Sequence, residues 1–423
     1  MKYSVITFGC RVNQADSLGF EEALLQSGAA PAAPEEADLV VVNTCSVTAS
    51  ADQGARQTIR RIARSNPNAR IVVTGCYATR EPADVAALPN VIRVVPNDDK
   101  PRLVPEVIPL VIKDEFSTAE RFGDGDGSCG ARIEPGIAGR TAFTLRVQTG
   151  CAEPCSYCII PSTRGRPRSV PPDDVLSEAA RITTAGFKEI ALTGVHLGSY
   201  GRDLSPRSTL LELLVALCRV PGDLLFRVSS LEPMDCSREI VDLVASSASL
   251  APHFHLPLQH ASDRVLSAMG RPYTIAFYSG LVDYVRRRVP EASIGSDVIV
   301  GFPGETDRDF DALASYLESS PLTHVHVFPY SDRPGTRAAT MGGAVPGPIV
   351  RVRARQVREI SQRLRERFHH SQIGTVHQGL TLEDGSLVVT GNYLKLRIAV
   401  GRRRNEWVRV RVTSEHDGEL LPG

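Results

Sequence analysis

Two sets of three cysteines dominate the chemistry open to this 423-residue chain. In VQTGCAEPCSYCIIP, Cys151, Cys155 and Cys158 lie within eight residues, in a loop bearing Gly and Pro. Thiolates spaced this closely can wrap one face of a soft metal centre. A structural zinc site takes four ligands, so zinc would need a fourth from elsewhere. A four-iron cluster held by three cysteines instead leaves one iron open to a small molecule. The second set is dispersed: Cys10, Cys45 and Cys76 are 35 and 31 residues apart. Each follows a short apolar run and precedes a loop. In a parallel α/β sheet all three then reach the carboxyl edge, where such folds place ligands. One cysteine at a strand end is usually a small buried hydrophobe. Three at equivalent places point to a second iron–sulfur cluster. Cys129, Cys218 and Cys236 fall outside both patterns.

The elements that must position these cysteines are legible as alternating strands and helices. Tyr3–Phe8, Leu39–Val42 and Ile71–Val73 read as short, almost purely apolar strands. Helices are expected from about Asp16 to Gln26, and through Ala55, Ile59, Ile62 and Ala63, which share one helical face. Such strands signal a parallel sheet covered on both sides. The glycine-rich stretch 122–139 reads as a linker. Beyond it, strands are expected at Thr144–Gln148, Glu189–Thr193, Leu225–Ser229, His253–Leu256, Ile294–Val300 and Thr323–Phe328, with helices between, one of them capped by Asp173 and Asp174. Six βα units suggest a partial (β/α)6 barrel. An Arg-rich helix follows from about Ile349 to Phe368. After Gly374 the period becomes two: Leu394, Leu396, Ile398 and Val400, then Val408, Val410 and Val412. That alternation predicts a small antiparallel β-barrel. The α/β chain thus divides into a parallel-sheet domain over 1–121, the linker, a barrel over 140–370 and a small β-domain over 371–423.

With 42% hydrophobic and 23% charged residues the chain can build real cores, and no apolar run approaches a membrane span. MKYSVITFGC reads as a strand, so a cytoplasmic location is expected, where cysteines seldom pair in disulfides. Net charge is zero, yet between Arg351 and Arg411 14 Lys and Arg face 5 Asp and Glu. That excess suggests a polyanion partner. Tyr393, Lys395, Arg397, Arg402, Arg403, Arg404, Trp407 and Arg409 interleave cations with aromatics, a pattern suited to a single-stranded RNA loop. Arg164, Arg166 and Arg168, just past the cysteine loop, suit phosphate or carboxylate contacts.

Cys-x3-Cys-x2-Cys resembles the signature of the radical S-adenosylmethionine (SAM) superfamily. Taken with TFGCRVNQADS, NTCSVTASAD and TGCYA, it makes the chain resemble the methylthiotransferase family over nearly its whole length. The segments GCRVNQADS, IIPSTRGRPRS, LTGVHLGSYG, RVSSLEP and VHVFPYSDRPGT resemble the subgroup acting on N6-threonylcarbamoyladenosine (t6A) in tRNA. The resemblance implies two [4Fe-4S] clusters, SAM, and a C-terminal RNA-binding TRAM domain. It implies that Cys151, Cys155 and Cys158 hold the catalytic cluster, whose open iron binds SAM, and that Cys10, Cys45 and Cys76 hold an auxiliary one. SAM would lie along Gly194, His196, Ser229, Ser230, Glu232, Asp297 and Gly301. Lys395 and the arginines at 164, 166, 168 and 402–404 would contact the tRNA anticodon loop around position 37. An electron donor such as flavodoxin or ferredoxin would be required, and no membrane. Two alternatives stand beside this reading. One is the same chemistry on ribosomal protein S12. The other is a non-catalytic RNA-binding protein with zinc at the cysteines.

Overall fold

The computed structural model describes residues 1–111, 135 and 141–422. Cys129 and, but for Pro135, the expected linker lie outside them. The chain divides into two compact units: Met1–Ile133 with Cys158–Arg166, and Glu134–Tyr157 with Pro167–Gly423. Among the described residues no helix is long and apolar enough to cross a membrane.

The first unit runs β1 (Lys2–Thr7), α1 (Arg11–Gln26), β2 (Ala30–Pro31), β3 (Leu39–Thr44), α2 (Ala49–Ser65), β4 (Arg70–Gly75), α3 (Cys76–Arg80), α4 (Pro82–Ala86), β5 (Val91–Val95) and α5 (Leu103–Val111). It also takes in α6 (Ile160–Arg164). Its five strands are all parallel, in the order β2-β1-β3-β4-β5. Every residue of β3 is buried, because both faces are covered. Val40 and Val42 pack with Ile59 and Ile62 of α2, while Leu39 and Val41 pack with Phe20 and Leu24 of α1 and Leu103 of α5. Burial on two faces is why the strand reads as a continuous apolar run. Helix α1 starts at Arg11, a turn earlier than expected, and buries the polar Asn13, Asp16 and Ser17.

The second unit opens with β6 (Phe143–Arg146), then β7 (Gln148–Thr149) and β8 (Arg168–Ser169), which pair with each other. There follow α7 (Pro172–Thr184), β9 (Glu189–Thr193), α8 (Leu210–Leu217), β10 (Leu225–Val228), α9 (Arg238–Ser246), β11 (His253–His255), α10 (Asp263–Met269), α11 (Ile275–Arg288), β12 (Ser293–Val300), α12 (Asp307–Ser319) and β13 (His324–Pro329). Strands β6, β9 and β10 form one parallel sheet and β11, β12 and β13 another. Parallel bridges Phe226↔Leu250 and Ser230↔His255 carry the pairing from one sheet to the next. The result is a six-stranded partial barrel with β6 and β13 at its edges. Helix α7 places Asp173 and Asp174 in its first turn, not at the cap, because Pro172 occupies the first helical position.

Helix α13 (Gly347–Gln372) lies along β13, whose Val325 amide donates to Ser361 Oγ at 2.9 Å. It leads into an antiparallel sheet of β14 (Val376–Leu382), β15 (Leu387–Thr390), β16 (Lys395–Arg397), β17 (Trp407–Val412) and β18 (Gly418–Leu420), ordered β16-β15-β14-β17-β18. A bridge between Arg397 and Asp417 draws its two edges together. Leu394, Leu396, Ile398, Val408, Val410 and Val412 form the core with Phe368. Val400, expected to continue the alternation, is 84% exposed, because strand pairing ends at Arg397. Arg227 of β10, fully buried, pairs with Glu189 at 2.8 Å, donates to the Gly391 carbonyl at 2.8 Å and stacks 4.7 Å from the Tyr393 ring. Tyr393 therefore helps bind the small sheet to the barrel, with 39% of its surface still exposed. Trp407 does likewise through the Asp223 carbonyl, at 3.2 Å.

Candidate functional site

In the first unit the three dispersed cysteines lie near one another, at the carboxyl ends of the neighbouring strands β1, β3 and β4. Cys10 caps the start of α1, Cys45 follows β3, and Cys76 begins α3 directly after β4. Two glycines make room. Gly9 has φ +90°, and a Cβ there would meet the Cys45 Sγ at 2.7 Å. Gly75 has φ +96°, and a Cβ there would meet the Thr44 carbonyl at 2.2 Å. Cys45 and Cys76 are buried and Cys10 is exposed, which leaves the set open on one side. Burial pushes the Cys45 thiol up to about 11, with the Cys76 and Cys10 sulfurs adding to the rise. The Val47 amide and Arg164 oppose it. The Val47 amide lies 3.5 Å from Cys45 Sγ, and Asn97 Nδ2 lies 3.7 Å from Cys76 Sγ.

Arg164 stands beside these sulfurs. Its side chain is 2% exposed; it donates to Asn13 Oδ1 and lies 3.6 Å from Asp16. Burial disfavours its charge, but Cys76, Asp16 and Cys10 together hold it protonated. Lys100 completes the network, 2.5 Å from Asp16 and 3.2 Å from Asn43. The expectation that Arg164 contacts RNA is corrected here: α6 turns it inward, under the cysteines. Arg166 and Arg168 are exposed. Sequence reasoning missed Asn13, Asp16, Asn97 and Lys100, which carry no spacing signal of their own.

In the second unit, Cys151 Sγ lies 3.9 Å from His196 Nδ1 and accepts the Glu153 amide at 3.4 Å. His196 Nε2 is 2.7 Å from Asp235, which also takes Arg202 at 2.6 Å. Burial works against a charged His196 ring, but Asp235 and the Cys151 sulfur outweigh it and push it up to about 10. Arg271, a residue the sequence did not single out, donates to Cys155 Sγ at 3.1 Å and to Glu232, and its Nε lies 3.1 Å from the Tyr273 hydroxyl. Burial raises the Cys155 thiol and Arg271 counters it.

The remaining expected cofactor residues sit near the carboxyl ends of the barrel strands. Ser229 Oγ is buried and has no partner among the described residues. Ser230 meets His255 at 3.1 Å, and His255 meets Asp297 at 3.1 Å. Gly194 packs on Leu197 and Gln148, and Gly301 faces Val350 of α13, so packing already accounts for both glycines. Of the expected RNA contacts, Lys395, Arg402 and Arg403 are exposed. Arg403 pairs with Glu406 at 3.0 Å, and Arg404 donates to the Glu383 carbonyl.

These residues fit iron–sulfur chemistry. Thiols gathered with N–H donors and a buried cation are the surroundings that hold and tune anionic thiolate clusters. Among the described residues no group of three or more His, Cys, Asp and Glu side chains could hold a single metal ion.

Residues 2–96 match the family described as uncharacterized protein family UPF0004, and residues 145–317 match the Radical SAM superfamily. The chain is 35% identical over 418 residues to threonylcarbamoyladenosine tRNA methylthiotransferase MtaB of Aquifex aeolicus, covering 97% of this chain and 100% of that one. Identity to the protein of the same name from Bacillus subtilis is 34% over 369 residues, 86% of this chain and 80% of that one. The tRNA-2-methylthio-N(6)-dimethylallyladenosine synthase of Carboxydothermus hydrogenoformans is 32% identical over 388 residues, with 89% and 87% covered. Among solved structures, the radical S-adenosylmethionine methyltransferase TsrM of Kitasatospora setae, bound to cobalamin and a [4Fe-4S] cluster, aligns with a TM-score of 0.55 at 17% identity, over 80% of this chain and 77% of that one. That likeness is one of fold.

Proposed function

Since the chain belongs to the methylthiotransferase family of radical SAM enzymes, we propose that it replaces the C2 hydrogen of N6-threonylcarbamoyladenosine, at position 37 of tRNA, with a methylthio group. The observation that carries this reading is the gathering of Cys10, Cys45 and Cys76 at one sheet edge, in a chain that also bears the Cys151-x3-Cys155-x2-Cys158 loop. Relatives named for tRNA support tRNA over ribosomal protein S12 as acceptor.

In this reading the loop cysteines hold one [4Fe-4S] cluster and the sheet-edge cysteines the other. When bound, the first supplies the electron that cleaves SAM, and the second supplies the site where sulfur is methylated by a further SAM. The protein's own groups do the rest. His196, held by Asp235, orients the start of the cysteine loop at Cys151. Arg271 places a positive charge on Cys155 and fixes Glu232. The Ser229 hydroxyl, unpartnered among the described residues, and the Glu232 carboxylate suit a ribose, and Asp297 stands two strands further along. Exposed Cys10 leaves the sheet-edge cysteines accessible to substrate. Arg166, Arg168, Lys395 and Arg402 to Arg404 suit the anticodon-loop backbone. A low-potential donor such as flavodoxin or ferredoxin would deliver the electrons, in the cytoplasm where tRNA is modified. The domain division reads as residues 1–121, 122–139, 140–370 and 371–423.

The test is nucleoside analysis of tRNA from cells with and without this protein. Loss of 2-methylthio-t6A, with t6A accumulating, is the expected result. An unchanged 2-methylthio-t6A pool, or loss of a different methylthio nucleoside, would overturn the substrate assignment.

A further inference from the structure

Helix α13 carries seven arginines, and its phase sorts them into two groups. Three are committed to the fold. Arg353 holds Glu305 and Asp307, each at 2.6 Å; Arg363 pairs with Glu318; Arg367 donates to the carbonyls of Glu318 and Ser320. The other four, Arg351, Arg355, Arg358 and Arg365, recur at i, i+4, i+7 and i+14 and so share one stripe. All four are exposed, and none makes a hydrogen bond or ion pair among the described residues. The helix has only two carboxylates, Glu359 and Glu366, and Glu366 is taken by Gln362 at 2.8 Å. A chain of zero net charge thus concentrates unneutralised guanidinium on one line.

That line borders a groove of about 480 Å³ between α13 and β13, lined by Arg358, Gln362 and Arg365 on one side and His326 and Phe328 on the other. Strand β13 is an edge of the open barrel, and Phe328 is 40% exposed on it. The volume falls in the range of small-ligand sites. Guanidinium groups recognise phosphate oxygens in a fork geometry, and an exposed aromatic ring stacks on an unpaired base. A membrane surface would meet a flat face; this one is concave, with the His326 and Phe328 rings beside the cations.

The geometry points to an RNA-contact surface along α13 and β13, separate from the small C-terminal sheet. Arg358 and Arg365 take backbone phosphates, Phe328 stacks on a base, and Arg351 and Arg355 extend the phosphate track. This rests on the tRNA reading above and assigns that substrate a second place of contact.

The experiment measures binding of labelled tRNA bearing t6A to the full-length, cluster-loaded enzyme across about 50 to 200 mM salt. Each lost phosphate contact lowers the slope of log K against log salt by about 1. The double variant R358Q/R365Q is expected to lose about 2 in slope, while melting with the wild type because neither guanidinium has a partner to lose. R363Q removes a charge from the same helix that is already paired, and is expected to keep the wild-type slope. F328L is expected to weaken binding several-fold with the slope unchanged, as loss of stacking does. A wild-type slope in R358Q/R365Q, or an equal loss in R363Q, overturns the groove while leaving the tRNA reading intact. A wild-type enzyme that does not bind tRNA overturns both.

Discussion

Nη1 of Arg271 lies 3.1 Å from Sγ of Cys155, and the same guanidinium holds the Glu232 carboxylate. The two partners are 116 residues apart in sequence, joined by the packing of α10 and its following turn against the cysteine loop, where Ser156 N–H donates to the Met269 carbonyl at 2.8 Å. A cation donating to a thiolate stabilises the more negative, reduced state of any cluster that the thiolate binds.

Replacing Arg271 by Gln therefore makes that cluster harder to reduce. A shift of about 60 mV to lower potential corresponds to a tenfold change in a one-electron equilibrium. Redox titration followed by electron paramagnetic resonance reads it without turnover. An unmoved potential would show that the contact only shapes the loop.

Arg164 and Arg166 differ by two positions, yet the structure sets them apart. Arg164 is buried with Asp16 and Asn13; Arg166 is exposed. Removing one partner from a buried charge network typically costs about 3–5 kcal/mol. Arg164→Met is expected to lower the melting temperature and the iron retained by the sheet-edge cysteines. Arg166→Gln should do neither. Thermal melts with iron counts on both variants check this, and equal behaviour would contradict the inward placement.

The two cysteine sets have separate duties in the proposed reaction. Cys151, Cys155 and Cys158 changed together to Ala should abolish 5′-deoxyadenosine formation and leave one cluster's iron. Cys10, Cys45 and Cys76 changed together should leave SAM cleavage running but stop methylthio product. Product from the second variant would remove the auxiliary site from the mechanism.

His324 on β13 is held neutral far below the usual histidine range, at about 3, first by burial and then by the charges of His326, His255 and Arg365; Asp297 pulls weakly the other way. The unfolded chain takes this proton near 6.5, so between about 6.5 and 3 the unfolded state binds more protons than the folded one. Stability is accordingly whole above pH 6.5 and declines as the pH falls towards 3. From pH 7 to 5 the loss is on the order of 1–2 kcal/mol. Denaturant unfolding at the two pH values measures it, and His324→Gln should flatten the dependence.

Much of the scaffold was legible because its strands obey simple rules. Leu39–Val42 and the six barrel strands are apolar runs set off by turns, and the three strand-end cysteines needed only the rule that parallel strands end on one edge. Three kinds of feature resisted. The start of α1 at Arg11 hid because its first turns bury Asn13, Asp16 and Ser17, so the apolar period begins late. Arg164 read as a surface cation because a loop sequence does not say which way a side chain turns, and only the network of Asp16, Asn13 and Lys100 draws it in. Arg271 and Tyr393 depend on pairing across more than a hundred residues, with Cys155 and with Arg227. No local pattern encodes such meetings.

A barrel left open has a price in self-association. Strand β13 ends its sheet, and such an edge is a template on which another molecule can add a strand. Here the Val325 amide is taken by Ser361, and α13 lies along the strand. Its unpaired arginines would also repel the same face of a second copy. The helix that borders the groove thus doubles as a guard against sheet-to-sheet aggregation, keeping the open side accessible to a ligand without making it adhesive to its own kind.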